Sequence, residues 1–403
     1  MRIRWRRPLR WAGIAGLVAC SRDAKPVAPS AAPPNLRLAQ VVFTQVTQDV
    51  DGTLPLVAGA PVAAKVLVVR SVETVDEVEV VLRLFRGGTQ IHVDTARTGG
   101  VLGPTASLSA ASAEFLVPSR LVSADVSWQV DLDPRQRQAD STRADNRLPV
   151  SAPERLRVIS LPPIRLRLVP VVLARHDSAA GVVDAANAEL YVRLARQLFP
   201  DSAFTVTVGA PVVTAAFFGA PPGGGDRGFW DAVLADVDRA RTASGPSDEF
   251  WYGVLSWPRG YRSAVYGGFG FIPAAPASTG EASRSGAGFG IGENIDAQFA
   301  QQTLAHELGH NLGRSHTPGC GTVAPIDSLY PSGDGAIGGF GHDVWSWANG
   351  VTRGAQAVGS ATPDVMTYCA LRWIGPYTHT AVLQWRMGTL VSTRVTGRGN
   401  AVP

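Results

Sequence analysis

Residues 295–316 read IDAQFAQQTLAHELGHNLGRSH, and three of the chain's seven histidines stand within the last eleven positions. The first part is predicted to be helical, with Ala300, Leu304 and Leu308 on one stripe. On such a helix His306 and His310 are one turn apart and point the same way. Two imidazoles so placed can share one Zn²⁺ at about 2.0–2.1 Å each. Glu307 stands beside the pair, where it can hold the water of such a site without being a ligand itself. Gly313 can adopt a positive φ, which ends the helix and reverses the chain. That reversal brings His316 round as a third ligand and leaves a fourth position open for water.

The spacing HExxHxxGxxH resembles the metzincin clan of zinc metallopeptidases. A second match lies further on, in DVMTYC at residues 364–369. The resemblance implies an α+β catalytic domain: a mixed sheet, an active-site helix, and a C-terminal helix after a Met-turn. It implies that Met366 lies beneath the zinc. It also implies that Tyr368 acts as the movable ligand and oxyanion stabiliser of astacin-like and serralysin-like members. Metzincins bind substrate extended along an edge strand above the zinc helix. YGGFGFIP, residues 266–273, is the candidate here, because its glycines let another backbone approach closely.

The chain has 403 residues, 45% hydrophobic and 17% charged, enough to bury a core and to form two domains. Its net charge of +4 rests on Arg2, Arg4, Arg6, Arg7 and Arg10; without those five, 32 basic residues face 33 acidic ones. No nucleic-acid partner is therefore expected. The positive start precedes a short apolar run, Trp11 to Ala19, which is too short to span a bilayer. Leu17-Val18-Ala19-Cys20 resembles the lipobox of bacterial lipoproteins, where the leader is cut before the cysteine and the thiol is acylated. Residues 1–19 are thus expected to be a signal peptide and 20–36 a Pro/Ala-rich tether. The expected location is the bacterial cell envelope, lipid-anchored through Cys20. Ser21 resembles the outer-membrane sorting pattern, which leaves the periplasmic and surface faces both open.

With Cys20 lipidated, only Cys320 and Cys369 remain, and an oxidising compartment favours their pairing. Bridged, they would clamp the loop carrying His316 to the turn carrying Met366. The alternative is one thiol ligating zinc as an inhibitory switch.

Residues 37–150 read as β-branched, often alternating runs broken by Gly, Pro and Asp, among them QVVFTQV, AAKVLVVRSV, DEVEVVLRLFR and VSWQVDLDP. Short strands with turn signals predict an all-β immunoglobulin-like sandwich. His92 stands alone in one of them. Residues 151–163 read as a linker, and residues 164–403 as the metallopeptidase domain, where strands alternate with helices. RGFWDAVLADVDRAR predicts an amphipathic helix capped by Asp226. PPGGGDRG and GAGFGIG lack the P-loop lysine and the GxGxxG spacing, so nucleotide binding is rejected.

The expected function is hydrolysis of internal peptide bonds in proteins or glycoproteins. One catalytic Zn²⁺ sits on His306, His310 and His316, and Glu307 moves the proton. The rivals are a silent surface adhesin and a zinc amidase acting on peptidoglycan or small peptides. Asp327, Asp334 and Asp343 are expected in turns rather than in a Ca²⁺ site, and His342 and His379 stand alone. The sequence does not indicate an oligomeric state.

Overall fold

The computed structural model describes residues 34–402 apart from 76, 100, 104–106, 108–109, 178, 221–222, 245–247, 274–282 and 389–399. The leader, Cys20 and the tether up to residue 33 lie outside the described residues. Among the described residues, no helix is long and apolar enough to cross a membrane.

The first half is built from β1 (Leu36–Thr44), β2 (Val62–Arg70), β3 (Glu79–Arg86), β4 (Thr89–Arg97), β5 (Ala113–Val117) and β6 (Val126–Leu132). One antiparallel sheet runs β1-β2-β5, and a second runs β6-β3-β4 with Arg147–Leu148 and Glu154–Arg155 added along β6. Val62, Ala64, Val66 and Val68 of β2 meet Val80, Leu82 and Leu84 of β3 and Val126 and Val130 of β6 in one apolar layer. Alternate residues of a strand point to opposite faces, so this layer consumes only half of β2. Yet every position of β2 is buried. Its other face supplies Ala63 against Val344 and Ala355, and Leu67 beside Phe340, all from the second half. On that face Lys65 is buried and paired with Glu114.

The expected linker is itself bonded into the structure. Glu154–Arg155 pairs with β6, and Val158–Ile159 runs parallel to Leu56–Val57. Residues 34–403 form one compact unit by contact.

The second half begins with β7 (Arg165–Leu173), α1 (Ala188–Leu198), β8 (Thr205–Val208), β9 (Val212–Thr214) and α2 (Arg227–Ala243). It continues with β10 (Phe250–Leu255), β11 (Gly268–Ile272), β12 (Ser285–Phe289) and α3 (Ala297–Asn311). Then come β13 (Phe340–Asp343), α4 (Val344–Ala348), β14 (Gln356–Val358), α5 (Pro376–Arg386) and β15 (Asn400–Val402). The sheet path is β7-β10-β12-β11-β15. The β7–β10 and β10–β12 pairs are parallel, whereas β12–β11 and β11–β15 are antiparallel. Asp226 caps α2 by accepting from Phe229 N at 2.9 Å, as the sequence leads one to expect. Helices cover both faces of the sheet. Along β10, Tyr252 turns toward Thr303 of α3, while a side chain at its neighbour Gly253 would meet Val237 of α2.

Candidate metal centre and cleft

Helix α3 starts where Asp296 accepts from Phe299 N at 2.7 Å. It ends in a Schellman turn: Gly313 N donates to His310 O at 2.9 Å and Arg314 N to Gly309 O at 3.0 Å. Gly313 has φ +81°, and a Cβ there would meet the Trp385 ring at 2.5 Å, so the turn requires glycine for two reasons. After this reversal His316 N donates to Pro325 O at 3.0 Å, which seats the third imidazole.

His306, His310 and His316 are buried and face one another, with ligand atoms all within 4.8 Å. Each Nδ1 meets a backbone carbonyl: His306 with Val365 O at 2.9 Å, His310 with Arg314 O at 2.7 Å, His316 with Val323 O at 2.8 Å. A carbonyl only accepts, so these contacts call for a proton on each Nδ1 and a lone pair on each Nε2; Arg372 Nη1, which only donates, lies farther from His306 Nδ1, at 3.3 Å. Nε2 of His310 and Nε2 of His316 then stand 3.1 Å apart, and Nε2 of His306 is buried with no hydrogen-bond partner. Lone pairs that converge in a buried site repel unless a cation lies between them. Burial, then the charges of His310 and His316, hold His306 well below the ordinary histidine range, which keeps its lone pair free. The three histidines are thus placed to bind one metal ion, and the outer carbonyls orient them as metal-ligating imidazoles are usually oriented.

Glu307 lies under β11. A Cβ at Gly268 would stand 2.9 Å from its Oε1, one at Gly270 2.9 Å from its Oε2, and one at Gly286 3.2 Å from its Cβ. The glycines expected to admit a substrate backbone therefore make room for this carboxylate. Burial pushes Glu307 well above the usual carboxylate range, with Arg372 acting in the opposite sense. Tyr368 is half-buried beside the histidines, its ring centroid 5.1 Å from that of His316 and 5.9 Å from that of His306. Burial, then Glu307, raises its hydroxyl above the ordinary tyrosine value.

Met366 is fully buried, and a Cβ at Gly309 would collide with its Sδ. The turn carrying it is organised by Asp364, which the sequence reading did not single out. The Asp364 carboxylate accepts from Met366 N at 3.0 Å and Gly375 N at 3.0 Å, and burial raises it to about 6. Cys320 and Cys369 form a disulfide across 49 positions, so neither thiol is a metal ligand. It joins the loop after His316 to the turn after Met366.

Asp327, Asp334 and Asp343 are each used separately. Asp327 pairs with Arg314 at 2.6 Å, Asp334 accepts from Ala336 N at 3.0 Å, and Asp343 caps α4 through Ser346 N at 3.0 Å. Among the described residues, the three histidines are the group placed to hold a metal. His342 and His379 are buried away from it.

The sequence reading also missed Arg372. It lines a cleft of about 180 Å³ with Tyr266, Gly268, Thr303, His306, Glu307 and Tyr368. Its Nη1 donates to Thr367 O at 2.7 Å.

No protein-family model matches the sequence, and no curated protein matches it. Among matching solved structures is a cycloisomaltooligosaccharide glucanotransferase of Paenibacillus sp. complexed with cycloisomaltoheptaose. It is 12% identical over 53% of this chain and 28% of its own length, with a TM-score of 0.17. A likeness that slight carries no argument about fold or function.

Proposed function

We propose that the protein is a zinc-dependent endopeptidase of metzincin type, anchored at the bacterial envelope through a lipid on Cys20. The observation that carries the chemistry is the convergence of three Nε2 lone pairs beside a carboxylate, Glu307, whose Oε2 is buried without a hydrogen-bond partner. Three imidazoles with an open fourth position suit zinc, and a bound zinc ion supplies Lewis acidity toward water and toward a carbonyl oxygen. Glu307 takes the proton of the attacking water on its carboxylate and passes it to the leaving amine. The Tyr368 hydroxyl donates to the developing oxyanion. Gly309 against Met366 and the Cys320–Cys369 bridge hold the ligands in place. The envelope location rests on the leader alone.

Elemental analysis of the purified protein should find one zinc per chain, lost in His310→Ala. Glu307→Ala should keep the zinc and stop cleavage of casein or gelatin. Equal zinc in wild type and His310→Ala would sink the ligand assignment. Zinc without cleavage of any protein would favour the adhesin reading, and release of fragments from a cell-wall digest alone would favour the amidase.

A further inference from the structure

The edge of the sheet that passes the histidines is already occupied, and by this chain itself. Gly267 and Gly268 line the cleft with His306, Glu307 and Tyr368, and the backbone runs on from them into β11. Phe289 N donates to Gly267 O at 3.2 Å, so Gly267 faces β12. The N–H and C=O groups of an antiparallel strand alternate in direction, so those of Gly268, Gly270 and Ile272 face the opposite way. On that side stands β15, antiparallel, with Val402 opposite Gly270, Ala401 opposite Phe271 and Asn400 opposite Ile272. β15 therefore runs toward the cleft, and its pairing ends at Gly270, just short of the cleft wall at Gly268. Gly270 is also where the strand lies against Glu307, whose Oε2 would stand 2.9 Å from a Cβ there.

Strand addition uses the N–H and C=O groups that a sheet edge leaves facing outward. An extended peptide laid along this wall of the cleft meets those of Gly268 first and those of Gly270 next. β15 holds the Gly270 pair, so substrate and β15 cannot both have it. Among the described residues, β15 is three residues long and pairs with no strand but β11. A ladder so short is marginal by itself, and a longer peptide can replace it bond for bond. We propose that residues 400–402 are a built-in competitor: paired with β11 they keep an extended substrate from the outward groups of Gly270 and Ile272, and cleavage requires their release. The inference rests on the peptidase reading given above and adds the regulation of that site.

The test compares the zinc-loaded full chain with a form lacking residues 400–403 and with Val402→Pro, which removes the N–H opposite Gly270. Cleavage of one casein-derived peptide is followed over a range of concentrations, with and without chelator. A competitor that holds the edge for about nine-tenths of the time raises KM about tenfold and leaves kcat alone. Both variants should therefore lower KM by about that factor, at unchanged kcat and zinc content. Amide exchange gives a second readout in Glu307→Gln, which should bind the peptide without cutting it: residues 400–402 should lose protection when peptide is added. If the variants do not fold, that exchange decides. Equal KM in all three forms overturns the inference and leaves the peptidase standing. So does a fall in kcat together with loss of zinc, which would make β15 a structural strand, and so does protection of 400–402 that saturating peptide leaves unchanged. Absence of chelator-sensitive cleavage in all three forms overturns the peptidase reading and this inference with it.

Discussion

Gly309 rests on Met366 so closely that the space for a methyl group is already filled by the methionine Sδ. The second variable residue between His306 and His310 is thus set by the turn below the helix. Gly309→Ala should lift α3 from that turn at a cost of about 1–3 kcal/mol, as overpacked cores do. Calorimetry should show a lower Tm, and zinc should bind more weakly than in wild type. An unchanged Tm would mean that Met366 moves aside freely.

Gly270→Ala tests the place of Glu307. A Cβ there meets Glu307 Oε2 at 2.9 Å and the Glu307 carbonyl oxygen at 3.0 Å. The carbonyl belongs to α3 and cannot yield, so the strand or the carboxylate must shift. Displacement of a proton-transfer group costs roughly a hundredfold in rate. Turnover should fall by that order while zinc content stays at one per chain. Full activity in the variant would show that the carboxylate has room to spare.

Removal of the disulfide should separate the third ligand from the first two. Cys320→Ser/Cys369→Ser loosens the loop carrying His316, whereas His306 and His310 remain on α3. The chain-entropy account gives about 4 kcal/mol for a loop of this length. A lower Tm, weaker zinc binding and a near-native far-UV circular dichroism spectrum are expected. Unchanged zinc affinity would mean that the Pro325 and Val323 contacts seat His316 without the bridge.

Acid should act through two buried histidines that are not part of the cluster. Burial, then Arg386, lowers His379 to about 4, and burial, then Lys65, lowers His342 to about 3. Both gain a proton on unfolding at pH values below about 6.5, so the stability they confer is full above that pH and lost as pH falls toward their folded values. Each contributes a slope of about 1.4 kcal/mol per pH unit in that window. Asp364, raised to about 6 by burial, acts with the opposite sign over the range below 6. The clean measurement is therefore a difference. Between pH 6 and 4, His379→Asn should lose stability less steeply than wild type, by one proton's slope. Parallel curves would show that His379 gains its proton while the chain is still folded.

Local rules account for what the sequence made legible. The i, i+4 histidines, the Asp296 and Asp226 caps and the reversal at Gly313 all depend on neighbours within one or two helical turns. Arg372 and Asp364 depend on partners brought in from elsewhere: Gln302 and Thr367 for one, the amides of Met366 and Gly375 for the other. The glycines of β11 show the limit most clearly. Their pattern announces a close approach, but only the fold reveals that Glu307 is what approaches. Residues 151–163 show the same limit, since their two-residue pairings leave no periodicity to read.

The carbonyl of Val46 accepts from Trp373 Nε1 at 2.8 Å and from His342 N at 2.7 Å. Val46 follows β1, whereas Trp373 belongs to the segment that floors the histidine cluster. A chain shortened to begin near residue 164 would leave a buried indole N–H without its acceptor, at about 1–3 kcal/mol, and would uncover Phe340 and the edge of β13 that pairs with Thr47–Gln48. The smallest unit that keeps the segment carrying Trp373 fully bonded therefore begins at Leu36–Thr44, and a cut that separates the halves would take away the acceptor on which that indole depends.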